Sequence, residues 1–346
     1  MLKLYTDINF LIETHRKTVF PLLFDLHFLK NKDLSNYYSL VDDIQKCDII
    51  VFPIDYTKFI KYKKAFSQLQ KLSKIHKKLI WIYTAGDYGF TNYIPNSYTF
   101  RLSGFKSKLN ENTFIMPSFI NDPFNNYLPQ GFLAIKKEVQ PTIGFVGHAQ
   151  SGLRKYINEI NNHLKYNIKR KSQLLKVDKQ PFYPSSILRV KYLFVLEKSK
   201  HIKTNFVLRS HYRAGARNEV EKQKSTQEFF NNIFNNSYTF CSRGVGNFSV
   251  RFYETLAVGR IPILLNTDCK LPLDNLIEWG NHCVILDVKN KISLEQQILN
   301  FHNSKSAESF EDIQKNNRLL WETHLKREMY FLKIHDIFIN KENDNA

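Results

Sequence analysis

The sequence predicts an α/β protein built on two parallel sheets. Three observations carry that expectation. Asp48–Phe52 and Leu79–Tyr83 are short apolar runs separated by a basic, helix-like segment over 58–77, which together make a βαβ unit. Thr142–His148 is a further apolar run that opens a second sheet after the proline-containing stretch over 121–140. The segment over 237–265, SYTFCSRGVGNFSVRFYETLAVGRIPILL, reads as strand, glycine loop, short helix and strand.

The elements follow in order. The strand over 48–52 stops at Pro53, and the next one runs over 79–83. Ligands of parallel sheets sit beyond the carboxyl ends of the strands. That rule places Asp55–Tyr56 and the turn Thr84–Gly89 on the binding side. Residues 121–140, with Pro123 and Pro129, end the first domain and form a linker. The strand over 142–148 is followed by a helix from about Leu153, and Thr204–Arg209 is a strand with an arginine at its end. Asn218–Asn235 is helical, while Leu276–Trp279 and Cys283–Leu286 continue the alternation. Ser309–Ile339 reads as a long helical region with Ile313, Leu320, Trp321, Leu325 and Leu332 as its apolar stripe.

Composition sets the outer bounds. The chain of 346 residues, 43% hydrophobic and 14% aromatic, has room for two domains with a substantial core. It holds no apolar run near the roughly 20 residues that span a bilayer. Its start, MLKLYTDINFLIETHRK, has polar and acidic residues where a signal peptide needs an apolar core, so a cytoplasmic location is expected. Cys47, Cys241, Cys269 and Cys283 show no metal spacing and suit reduced thiols. The formal net charge of +18 draws such a surface towards anionic lipids, nucleic acids and phosphorylated substrates. The densest patches are Lys61–Lys64, Lys71–Lys78 and Lys165–Lys176. Each suits a solvated face, with weak peripheral docking on an anionic membrane as the functional alternative.

The chemistry concentrates in the glycine-loop segment. Gly244 and Gly246 are placed to supply unusual backbone angles in the loop, and Gly259 to stop the helix. Arg243 precedes the short helix and Arg251 lies in its first turn. A helix N-terminus is partly positive, so cations gather there to advantage only when an anion arrives. Free N–H groups and two arginines make a phosphate site. Glu254 follows ~5 Å along the helix, where a carboxylate can accept hydrogen bonds from the two ribose hydroxyls. Diphosphate plus ribose is a nucleotide. The same spacing also suits a plain surface pair between Arg251 and Glu254.

The order of these residues resembles the C-terminal signature of exostosin-like glycosyltransferases, family 47 of the sugar-transferase classification. The matching residues are Phe240–Cys241, Arg243–Gly244, Ser249, Arg251, Tyr253–Glu254, Leu256, Gly259, Ile261–Pro262, Leu271–Pro272 and Trp279. The clear match covers about 235–285, with weaker similarity from about 142. The resemblance implies a GT-B fold, two Rossmann-like domains facing across a cleft. Residues 1–130 would be the acceptor-side domain and 131–308 the nucleotide-sugar domain. Residues 309–346 would form a helix returning to the first domain, although a plain packing helix fits the pattern equally well.

The resemblance also implies an inverting transfer of a sugar from a nucleoside diphosphate, with UDP the expected nucleotide. The acceptor would be a cell-surface glycan or its lipid-linked precursor. No metal or other cofactor is expected. Without a metal, arginines and helix N–H groups take up the leaving phosphate charge. Arg243 and Arg251 come first; Arg154, Arg209 and Arg213, each just after a strand, come next, with structural ion pairs as their alternative. Gly244, Asn247 and Ser249 could donate from backbone or side chain, and the latter two equally suit helix capping. Inversion needs a base from the facing domain. Asp87 is the first candidate, Asp55 the second and His148 the third, while Asp87 also suits a simple turn. Asp268 suits either the donor sugar or a turn. Tyr83, Tyr88, Phe90 and Trp279 suit ring stacking or the core. Two rival readings remain open: a polyanion- or nucleic-acid-binding protein, and a catalytically silent sugar-nucleotide-binding partner of another transferase.

Overall fold

The computed structural model describes residues 1–344, with the side chains of residues 212, 213 and 341–344 outside that description. The chain divides into two compact units. The first holds residues 1–117, 176–178 and the chain from Thr323 on; the second holds 118–175 and 179–322. The divisions therefore fall at 117/118 and 322/323, where 130/131 and 308/309 had been expected.

The first unit is a parallel sheet of β1 (Leu2–Tyr5), β2 (Tyr38–Leu40), β3 (Ile49–Val51), β4 (Leu79–Thr84), β5 (Ser97–Arg101) and β6 (Thr113–Ile115). The strand order is β2-β1-β3-β4-β5-β6, and all pairs are parallel. β3 is buried throughout, as a strand covered on both faces must be. Helices α1 (Pro21–Phe24), α2 (Lys32–Ser35), α3 (Tyr56–Phe59) and α4 (Lys63–His76) lie in its connections. The basic segment expected as one helix over 58–77 is thus split into α3 and α4. Lys77, left-handed at φ 52°, closes α4 by donating its N–H to the Ser73 carbonyl.

The second unit begins with α5 (Pro123–Asn126) and then β7 (Thr142–His148), α6 (Leu153–Lys171), α7 (Ser185–Glu197), β8 (Lys203–Arg209) and α8 (Glu219–Asn235). It continues with β9 (Tyr238–Cys241), α9 (Val250–Ala257), β10 (Ile261–Leu265), β11 (Val284–Leu286), α10 (Leu294–Asn303) and α11 (Ala307–Leu320). Its strand order is β11-β10-β9-β7-β8, again fully parallel. Both sheets reverse direction of growth next to their first strand, between β1 and β3 and between β7 and β9. Such switch points leave a crevice at the carboxyl edge, because neighbouring connections leave on opposite faces. Ile143, Phe145, Phe240, Ile261, Ile263 and Leu286 anchor the core beneath that edge.

Two expected elements differ. Leu276–Trp279 is a turn leading into a 3-10 turn over Trp279–Asn281, because the Trp279 indole donates back to the Pro272 carbonyl at 3.0 Å. The long helix over 309–339 is broken by a π turn, Trp321–Leu325, between α11 and α12 (Arg327–Asp344). α11 belongs to the second unit and α12 to the first. Within the first unit, α12 is tied down by Tyr38, whose hydroxyl donates to the Phe331 carbonyl at 2.6 Å. Arg327 pairs with Asp25, only 1% exposed, at 2.5 Å. Burial raises the Asp25 pKa above the ordinary carboxylate value, and Arg327 opposes that rise.

Candidate functional site

The second unit's carboxyl edge is where charge gathers. β9 delivers the chain into the loop over 242–249, and α9 follows. α9 is short, yet it buries Phe252, Tyr253, Thr255, Leu256 and Ala257, so packing rather than length holds it in place. Gly259 ends it at φ +71°; a Cβ there would lie 2.3 Å from the Phe132 ring. Ser249 occupies the N-cap position in extended conformation but its side chain makes no capping hydrogen bond. The first-turn N–H groups of α9 are therefore not closed off by that hydroxyl. Gly244 departs from expectation: its φ is not left-handed, and a Cβ would meet nothing within 4 Å. Its contribution is open ground beside the loop, not an unusual angle.

Three arginines lie around the ends of β7 and β9. Arg251 donates to the Val146 carbonyl of β7 at 2.8 Å and lies over the Phe145 and Phe229 rings at 4.3 and 5.5 Å. Its Nε is buried and has no hydrogen-bond partner among the described residues. Gly147 makes room for it, since a Cβ there would sit 2.7 Å from the guanidinium. Arg189, on α7, reaches the carbonyl of His148 at 2.5 Å, the Ser242 hydroxyl at 3.0 Å and the Arg243 carbonyl at 3.2 Å. Arg243 is 3% exposed, donates to the Gln180 side chain at 3.3 Å and the Val245 carbonyl at 2.9 Å, and lies over Tyr183. The hydrogen-bond acceptors of Arg189 and Arg251 are neutral carbonyls and a hydroxyl.

Burial is the largest influence on the charges of these groups. Burial, and then the field of Arg251, pull the Arg189 pKa down to about 10. Burial likewise lowers Arg251, with Arg209 adding to the effect and Cys241 and Glu254 opposing it. Burial lowers His148 at the end of β7, reinforced by Lys155 and Arg189. Arginines that lower one another's pKa at a switch point can receive an anion. Glu254, half-buried, lies one turn further along α9.

The other nominated residues have different contacts. Arg209 ends β8 but bonds the Ser225 hydroxyl at 2.6 Å and pairs with Glu228 of α8, which is the structural ion-pair alternative. Arg154 is exposed at the start of α6. The Arg213 side chain lies outside the described residues. Asn247 neither caps α9 nor faces out. It is 2% exposed, donates to the carbonyls of Thr267 and Asp268 at 3.1 and 3.0 Å, and accepts from the Thr267 hydroxyl at 2.6 Å. It staples the glycine loop to the loop after β10, where Asp268 takes a left-handed φ of 63°.

In the first unit, Asp55 and Asp87 follow β3 and β4. Asp55 is 3% exposed and accepts from the Ala85 N–H at 2.8 Å and the Thr57 hydroxyl at 2.5 Å, so its carboxylate is committed to holding the two loops together. Asp87 is exposed, while nearby protein atoms desolvate its carboxyl and raise its pKa. The loop that carries it is built on Arg101, which the sequence did not single out. Arg101, 2% exposed, donates to the Tyr88 carbonyl at 2.7 Å and pairs with Asp178 at 2.8 Å. Asp178 in turn accepts from the Thr91 N–H at 2.8 Å. Gly89 is required there, since a Cβ would lie 2.3 Å from the Arg101 guanidinium. Arg189 was also missed; its only sequence signal is one arginine inside the apolar helix SSILRVKYLFVLE.

The aromatic candidates resolve towards packing. Tyr83 stacks on Phe20 and its hydroxyl is pushed up to about 12 by burial. Phe90 stacks on Tyr56, and Trp279 packs on Phe252 at 5.3 Å. A cavity of about 390 Å³ lies beyond β1, lined by polar Thr6, Asp7, Asn9, Asp42 and Gln68; none of the three base candidates lines it. Among the described residues no group of three or more His, Cys, Asp or Glu side chains could hold a metal ion.

The fold defines an α/β protein with two parallel switch-point units, the second carrying Arg189, Arg243 and Arg251 around the ends of β7 and β9. No protein-family model and no curated protein sequence matches the chain. Among solved structures, it is similar to an α1,3-fucosyltransferase at 11% identity, covering 92% of this chain and 82% of that one, with a TM-score of 0.34. It is similar to TarM at 10% identity, covering 84% and 54%, with a TM-score of 0.35. It is also similar to a UDP-N-acetylglucosamine 2-epimerase described as putative, from Listeria monocytogenes, at 12% identity, covering 90% of each chain, with a TM-score of 0.27. Likeness at this level fixes neither an activity nor a substrate.

Proposed function

We propose that the chain is a glycosyltransferase of the GT-B type, resembling the exostosin-like family, that uses a nucleoside diphosphate sugar. The observation that carries this reading is the gathering of Arg189, Arg243 and Arg251 at the β7–β9 switch point beside the start of α9. The diphosphate would meet these guanidinium groups and the first-turn N–H groups of α9. Glu254, one turn along, would accept from the ribose hydroxyls. Arg189 joins the set as a residue that also positions His148 and the Arg243 backbone. Gly244 leaves room for the ligand to approach.

On this reading transfer is inverting and needs no metal, because the arginines stabilise the leaving diphosphate. Asp87 is the proposed base. It is the exposed carboxylate of the first-unit candidates, whereas Asp55 spends its oxygens on loop contacts. The acceptor is proposed to be a hydroxyl of a cell-surface glycan or its lipid-linked precursor, and UDP is the proposed nucleotide. A thermal-shift panel of UDP, GDP, CMP and dTDP tests the donor site. One nucleoside diphosphate should stabilise the protein, and sugars of that nucleotide should then be hydrolysed or transferred. No stabilisation by any of them, alongside tight retention of nucleic acid, would favour the polyanion-binding reading instead.

A further inference from the structure

α6 is unusual for a helix on a parallel sheet: none of its 19 residues is buried. One side, with Glu159, Ile160, His163, Tyr166 and Asn167, is half-buried. The other side exposes Leu153 (75%), Ile157 (47%), Leu164 (54%) and Ile168 (66%). At 100° per residue these four fall within an arc of about 60°. Leu174, 81% exposed, lies just beyond the helix end. Exposed Lys165 and Lys169 flank the stripe, and Lys171 ends it. The helix has a single carboxylate, Glu159, which is turned to the half-buried side and paired with Lys155 at 3.3 Å.

Water is a poor neighbour for such a stripe, and a protein partner would commonly bring acidic groups to fixed points. A continuous apolar line with cations along its flank suits a plane that is apolar below and negative above. We propose that α6 is an interfacial helix that lays Leu153, Ile157, Leu164 and Ile168 into the surface of an anionic phospholipid bilayer, with Lys165, Lys169 and Lys171 at the headgroups. The charge complementarity is general as well as local, since the chain carries +18. Docking rests on this surface alone and does not depend on the donor-site reading.

Flotation with vesicles tests it. The protein should float with phosphatidylcholine–phosphatidylglycerol vesicles, far less with phosphatidylcholine alone, and be released by salt. The triple variant Ile157→Gln, Leu164→Gln, Ile168→Gln should lower partitioning by roughly tenfold or more. Lys165→Glu with Lys169→Glu should lower it by about fivefold per residue. Ile75→Gln, an exposed site on α4, should leave it unchanged. Circular dichroism and thermal unfolding report whether each variant is folded, so loss of flotation with both unchanged locates the effect on α6. No flotation of the wild type would overturn the proposal. So would a triple variant that floats as well as wild type, which would mean adsorption by charge alone. A concentration-dependent dimer abolished by the triple variant, without vesicle binding, would assign the stripe to a second copy of the chain and overturn it too.

Discussion

On the proposed function, Arg251 would be structural and functional at once. Its hydrogen bond to Val146 and its ring contacts fix its position, and its buried Nε has no hydrogen-bond partner among the described residues; on the proposed reading its guanidinium also meets the diphosphate. Arg251→Ala should therefore weaken nucleotide binding by roughly 1–3 kcal/mol, and Glu254→Ala by a similar amount, the scale of a lost charge-assisted hydrogen bond. Calorimetry on folded variants measures this, and unchanged affinity in both would remove the proposed donor site. Asp87 makes a separate prediction. Asp87→Asn should cut the transfer rate by about 10²–10⁴-fold while nucleotide affinity stays close to wild type. Desolvation raises the Asp87 pKa, and a base works only when deprotonated, so activity should fall as pH drops through a value above the usual 3.8. That acid limb should vanish from the residual activity of the Asn variant. A near-wild-type rate for Asp87→Asn would reduce it to a turn residue.

At the scale of elements, the glycine-loop segment depends on close packing around α9. Gly259 combines a φ of +71° with a Cβ position 2.3 Å from Phe132 and 3.1 Å from the Gln314 carbonyl. Gly259→Ala should destabilise the protein by about 2 kcal/mol or more, read from denaturant unfolding, because strain and overlap act together. α12 offers a second measurement. Arg327→Met leaves the buried Asp25 without its partner and should cost roughly 3 kcal/mol near neutral pH. The penalty should shrink in acid, where the Asp25 carboxyl is neutral in folded and unfolded chains alike. A thermal unfolding series against pH separates this from a simple packing loss, which would not vary with pH.

For the molecule as a whole, two parallel units each provide a switch point, and cationic charge is concentrated at that of the second. If guanidinium groups neutralise the leaving diphosphate, activity should survive EDTA. Loss on chelation with recovery on adding Mn²⁺ would replace that mechanism with a metal-assisted one. The same assay run beside the nucleotide panel separates a failed donor site from a failed chemical mechanism.

Much of this was legible in the chain. The apolar runs of β3, β4, β7 and β10 announce parallel strands because burial on both faces demands continuous hydrophobicity. The spacing of Arg243, Arg251 and Glu254 around one short helix was visible because helical geometry is local. Other parts had no local signal. β2 and β6 have three residues each, and the polar strand β5, SYTFR, is held by its neighbours in the sheet rather than by its own pattern. Arg189 looks like a surface charge until folding brings α7 beside the ends of β7 and β9. Arg101 acquires its role only when residue 178 returns to the first unit. Asn247, readable as a helix cap, became a staple because Thr267 and Asp268 supply acceptors some twenty residues away. Backbone periodicity and helix-terminal charge are properties of neighbouring residues and can be read along the chain. The convergence of cations, and the choice between a buried pair and an open carboxylate, depend on contacts between distant residues that only the tertiary structure makes.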